Sequence, residues 1–98
     1  MKINFNNKNG VLIVSVEGRL DTTTSPEFEN FLSERIDNIN ELIIDCEKLE
    51  YVSSAGLRVI LKAQKAMNAQ GSMKLTGVND SIMEVFDITG FLDILTIE

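Results

Sequence analysis

A chain of 98 residues is the size of one small domain and leaves no room for a second core. Its 44% apolar and 24% charged residues are ordinary for a globular protein, and a net charge of −6 sets the surface as a whole against nucleic acid. Histidine is absent and Cys46 is the lone cysteine, which excludes histidine-based nucleophilic triads, most zinc sites and any internal disulfide.

Lys2 to Asn7 alternates weakly, with Ile3 and Phe5 on one side, and predicts an edge strand. Asn9-Gly10 follows, a two-residue turn whose positions both tolerate positive φ, so Val11 to Val16 should return as an antiparallel partner. Gly18 to Thr24 predicts a loop. Thr24 with Glu27 fits a capping box for the helix that follows, and Ser25-Pro26 offers the alternative of a serine cap with proline at the first helical position. Phe28, Phe31, Leu32, Ile36 and Ile39 recur at steps of three and four and form one apolar stripe. The other side of this helix, with Glu27, Glu29, Asn30, Glu34 and Asp37, is acidic and reads as solvated.

Glu41 to Cys46 is nearly continuous in apolar residues, as a central strand requires. Cys46 reads there as a small buried hydrophobe in a reducing compartment. The next helix opens after Ser54, buries Leu57, Ile60, Leu61 and Met67, and stops at Gly71, a C′ glycine. Its outer side carries Arg58, Lys62 and Lys65, either a docking stripe or simple compensation of nearby acids. Met73 to Val78 predicts a strand. Asn79 or Asp80 caps a last helix bearing Ile82, Val85 and Phe86 and ended by Gly90, and Ile94 to Ile97 closes the sheet. The order β-β-α-β-α-β-α-β with right-handed crossovers gives an α/β fold, a mixed sheet with its helices on one face.

The run from Tyr51 to Arg58 carries the most information. It is the boundary between a strand-like segment and a helix, and two hydroxyls stand there. A helix N-terminus leaves N–H groups unpaired and is partially positive, so a hydroxyl there is a cap at least and a seat for a phosphate at most. Loops leaving the carboxyl ends of parallel strands gather at one rim. The loop at Asp21 and the loop at Ser53-Ser54 should therefore meet, with Val78-Asn79 beside them. Asp21 has the alternative reading of an Asx-type turn residue serving its own loop. No nucleophile has an adjacent base and no glycine-rich phosphate cradle exists, so the sequence predicts no enzyme, no cofactor and no metal site.

Three motifs resemble the STAS domain, the family of anti-sigma factor antagonists and sulfate-transporter C-terminal domains. They are Leu42-Ile43-Ile44-Asp45-Cys46 followed by Ser53-Ser54-Ala55-Gly56-Leu57, the turn Gly18-Arg19-Leu20-Asp21-Thr22, and the segment Phe86 to Phe91. The resemblance runs over nearly the whole chain and implies one STAS domain over residues 1–98. It implies that Ser54, directly before Ala-Gly-Leu, is the phosphoacceptor; the helix-boundary reading makes Ser54 the cap as well, and with the basic stripe the expected partner-binding set is Asp21, Thr22, Ser53, Ser54, Ala55, Gly56, Arg58 and Lys62. Ser53 stands where the family often has Asp, which removes a negative charge and leaves a second candidate acceptor. The implied function is that of an anti-sigma factor antagonist. Unmodified, it binds an anti-sigma factor that is also a serine kinase and so frees a sigma factor; phosphorylation ends the complex, and a PP2C-type phosphatase resets it. The alternative is a small cytoplasmic subunit of a membrane lipid or anion transport complex. In either case the expectation is a cytoplasmic monomer or weak dimer. No apolar run reaches the ~20 residues of a membrane span, and no signal-peptide pattern opens the chain.

Overall fold

The computed structural model describes residues 1–98. Its first two strands, β1 (Lys2–Lys8) and β2 (Val11–Leu20), pair antiparallel from Lys2↔Glu17 to Lys8↔Val11. Asn9 and Gly10 between them sit at φ 55° and 80°, the left-handed conformations that a tight hairpin turn demands. The elements that follow are α1 (Ser25–Arg35), β3 (Glu41–Asp45), β4 (Leu49–Val52), α2 (Ser54–Gln70), β5 (Ser72–Thr76), α3 (Asp80–Thr89) and a 3₁₀ turn over Phe91–Asp93. The sheet order is β1-β2-β3-β5, with β4 also on β2.

β2 runs past its expected end at Val16 because it serves two neighbours in turn. Its first half, Val11 to Ser15, pairs parallel with β3. At Gly18, φ +98°, the strand bulges, and Gly18 to Leu20 then pairs parallel with β4. The segment expected as a loop before α1 is thus partly strand. β4 itself was not anticipated, and the Ser53-Ser54 boundary follows β4 rather than the strand at Cys46. Four residues, of which Glu50 and Tyr51 are exposed, carry no alternating pattern. Only pairing with β2 defines them.

Alternation along the remaining strands is clean. Leu12, Val14 and Val16 of β2, Leu42 and Ile44 of β3, and Met73 and Leu75 of β5 are buried, whereas Ile13 is exposed and Ser15 and Ile43 are half-buried. One face therefore holds the core, and the helices cover it with Phe28 and Leu32 of α1, Leu57, Val59, Ile60, Ala63 and Met67 of α2, and Ile82 and Phe86 of α3. Leu61, expected in that set, is half-buried, and Val59 and Ala63 take its place. Cys46 is wholly buried, and burial, with the Asp45 charge beside it, pushes its thiol up to about 12.

Several local expectations need correction. α1 stops at Arg35, so Ile36 and Ile39 lie beyond it, although Ile39 still reaches the core. The capping box at Thr24 does not form: Thr24 is already helical in backbone and its hydroxyl serves the preceding loop instead. Gly71 is extended rather than left-handed. Its reason is proximity, since a Cβ there would collide with the Asn40 carbonyl, which accepts the Ser72 N–H at 3.0 Å. The closing strand shrinks to one bridge between Ile97 and Leu75, because Ile94 and Leu95 donate their N–H groups back to the Phe91 carbonyl of the 3₁₀ turn. No helix is long and apolar enough to cross a membrane.

Candidate functional site

Pairing of β2 with β4 brings the two loops together. Leu20 lies opposite Val52, and the next residue, Ser53, donates its N–H to the Leu20 carbonyl at 2.9 Å. Asp21 and Ser53, 32 positions apart, therefore leave the sheet side by side. The third loop does not join them. Asn79 donates its side-chain amide to the Leu49 carbonyl at 3.0 Å and accepts the Ile82 N–H at 2.9 Å, which fixes the mouth of α3 to the start of β4. Four residue steps along β4, about 13 Å, separate that anchor at Leu49 from Ser53.

The two serines divide the roles that the sequence left shared. Ser53 is the N-cap of α2: its backbone is extended, and its hydroxyl accepts the Gly56 N–H at 3.3 Å. Ser54 is the first helical residue. It is exposed, and its hydroxyl makes no hydrogen bond within the chain, so the capping role assigned to it belongs to its neighbour. The position that the family often fills with Asp keeps a competent cap here without the charge, since Asp and Ser cap equally well. Gly56 is buried and touches β2 and β4 rather than solvent, Leu57 is core, and Ala55 is half-buried at the surface of the same turn.

Asp21 is committed to its own loop. One carboxylate oxygen accepts the backbone N–H groups of Thr23 and Thr24, each at 3.0 Å, and the Thr24 hydroxyl contacts it at 3.1 Å. The Thr24 N–H bond is the largest influence holding this carboxyl below the ordinary range, opposed by partial desolvation and helped by the Thr24 hydroxyl, the Thr23 N–H and Arg19. Arg19 lies 3.8 Å from the other oxygen and stacks over the Tyr51 ring at 4.1 Å. Thr22, at the tip, is exposed.

Beside this rim an open groove of about 540 Å³ runs between α1 and α2. Thr22, Pro26 and Glu29 line one wall; Ala55, Arg58 and Lys62 are on the other, with Lys65 further along. Lys62 reaches across to Glu29 at 2.7 Å, a bond between exposed groups worth about 0.2–1 kcal/mol. Arg58 and Lys65 have no acidic partner within the chain. Three cations against one carboxylate leave the groove positive on a protein whose net charge is −6. Glu29 was missed as a groove residue because it sits on the side of α1 that reads as solvated, and Pro26 because it reads only as a helix-start residue; the proximity of α1 and α2 reveals both.

The family model of the STAS domain matches residues 2–98. The chain belongs to the STAS domain family. The anti-sigma-B factor antagonist of Staphylococcus aureus (strain NCTC 8325) is 34% identical to it over 84 residues, covering 84% of this chain and 78% of that protein. The crystal structure of an anti-sigma factor antagonist from Mycobacterium paratuberculosis matches with a TM-score of 0.87 at 21% identity, over 98% of this chain and 83% of that one. The Bacillus cell fate determinant SpoIIAA in its phosphorylated form matches with a TM-score of 0.78 at 17% identity, over 99% and 91%. At these identities the two structures speak for the fold. In STAS terms, the rim at Asp21, the Ser53-Ser54 turn and the α1–α2 groove form one continuous surface on this chain.

Proposed function

We propose that this STAS domain is an anti-sigma factor antagonist, switched by phosphorylation of Ser54. Unmodified, it binds an anti-sigma factor that is itself a serine kinase and so releases a sigma factor in the cytoplasm. The kinase transfers phosphate from ATP to Ser54, the complex separates, and a PP2C-type phosphatase restores the free hydroxyl. The domain is a substrate in this cycle and catalyses nothing.

The observation that carries this reading is the state of Ser54. Its hydroxyl is exposed, unbonded and placed at the positive end of a 17-residue helix, while the neighbouring Ser53 hydroxyl is occupied as the cap. The name of the Staphylococcus aureus relative supports the antagonist role over the transport-subunit alternative. A phosphate brings ~1.5 to 2 negative charges and three acceptors to a surface that fits a partner closely. Releasing that partner needs only a few kcal/mol, since each ~1.4 kcal/mol is tenfold in affinity.

Incubation with ATP and candidate anti-sigma kinases, followed by intact-mass measurement and peptide mapping, tests it. One phosphate on Ser54, together with loss of the kinase complex, is expected. Phosphate confined to Ser53 or to Thr22–Thr24 would overturn the assignment.

A further inference from the structure

We propose that Arg58 is an internal receptor for the phosphate on Ser54, so that modification folds away the groove's own cation as well as adding charge. The proposal rests on Ser54 being the phosphoacceptor.

Ser54 and Arg58 are four residues apart on α2, which makes them neighbours on the helix surface with Cβ atoms about 5–6 Å apart. Helical side chains lean toward the N-terminus, so a long side chain at 58 covers the turn that begins with Ser54. The order, anion one turn N-terminal to cation, is the favourable one. A guanidinium presents a planar fork that can bind two phosphate oxygens at once.

The other cations nearby are committed or remote. Lys62 is held by Glu29 at 2.7 Å. Arg19 stacks on Tyr51 and faces Asp21. Lys65 lies eleven residues along the helix from Ser54, about 16 Å of rise. Arg58 alone is both within reach and free of an acidic partner.

The consequence is that the groove loses its positive excess. Before modification Arg58, Lys62 and Lys65 outweigh Glu29. A phosphate of nearly two negative charges, drawn onto Arg58, cancels that excess. A partner that reads the groove through acidic groups then loses its complement even where the phosphate itself does not collide with it.

The test needs no kinase. Phosphoserine is installed at position 54 during translation, and the second ionisation of its phosphate, ordinarily near ~6, is followed by phosphorus NMR. The helix N-terminus lowers that midpoint in every variant, so Arg58 is isolated by comparing the unaltered chain with Arg58→Gln. The midpoint should lie about half to one unit lower with arginine present, with Arg58→Lys retaining part of the shift. Equal midpoints in the unaltered chain and Arg58→Gln, both folded by circular dichroism, would overturn the proposal. A kinase that leaves Ser54 unmodified would instead remove the switch proposed above and leave this titration standing.

Discussion

Gly56→Ala places a methyl group where β2, β4 and α2 converge. A Cβ built on Gly56 falls 2.8 Å from Leu20 Cγ, 2.9 Å from the Leu20 carbonyl oxygen and 2.9 Å from Val52 Cγ2. Attractive contact between such atoms lies at about 3.5–4 Å, so all three approaches are repulsive. Leu20 and Val52 are 1% and 4% exposed and have nowhere to turn. The Leu20 carbonyl is also anchored, because it accepts the Ser53 N–H. Relief requires α2 to lift or the β2–β4 pair to spread, and either movement separates Asp21 from Ser53.

Overpacking of this kind destabilises by about 1–3 kcal/mol, offset by the roughly 0.5–1 kcal/mol that alanine gains over glycine within a helix. The net expectation is a loss of about 1–2 kcal/mol, which in a domain of this size is a fall in Tm on the order of 5–15 °C. Ala55→Gly, one residue earlier at a half-buried position, is the control: it should lose about 1 kcal/mol through propensity alone and leave the seam intact. Thermal unfolding followed by circular dichroism measures both. A Gly56→Ala protein as stable as the parent would mean that helix propensity outweighs the contacts and that the seam is not tightly packed.

Three further predictions concern the same surface. Ser53→Ala should lose about 1 kcal/mol of stability as a missing cap, while Ser54→Ala stays within about 0.5 kcal/mol, both read from urea unfolding; the reverse order would restore Ser54 as the cap. The folded state favours the ionised form of Asp21, so its stabilisation is present above the ordinary carboxylate range and lost as pH falls through about 4 and below. Asp21→Asn should therefore unfold more easily at pH 7 and show a smaller further loss at pH 3, and equal pH slopes in both proteins would refute this. Arg58→Glu should leave stability unchanged yet slow association with an acidic partner at low salt, whereas Lys62→Glu should also lose the bond to Glu29; stopped-flow rates unaffected by Arg58→Glu would take the groove out of the interface.

The parts of the fold legible in the sequence are those with a local cause. Asn9-Gly10 announces its hairpin, the alternation of Leu12, Val14 and Val16 announces a half-buried strand, and the spacing of Leu57, Ile60 and Met67 announces α2. What was illegible has a tertiary cause. β4 has no pattern of its own and exists because β2 bulges at Gly18 and offers a free edge. Gly71 resembles a left-handed helix stop but is glycine because Asn40 presses against it. Thr24 and Glu27 satisfy the spacing of a capping box, yet the Asp21 loop claims the Thr24 hydroxyl first. At the site, a shared rim for Asp21 and Ser53 was legible, but the strand that delivers Ser53 there is β4 and not the one ending at Cys46. The division of labour between Ser53 and Ser54 was not legible, since it depends on which residue is the last extended one.

Electrostatics at the rim shows why net charge misleads about this surface. Fifteen acidic residues against nine basic ones describe an acidic protein, and that average sets the expectation for the surface as a whole. A docking partner, however, meets the field within about 8–10 Å at physiological ionic strength, and the charges lining the α1–α2 groove itself are three cations and one carboxylate. Glu29 is the acid that α1 contributes to the groove lining, and Lys62 already neutralises it. Arg58 thus stands as an uncompensated charge one turn from an unbonded serine at the positive end of a helix. A single phosphate at that point can cancel the positive excess that a partner meets. The same phosphate on the acidic side of α1 would add to charge of its own kind and change little.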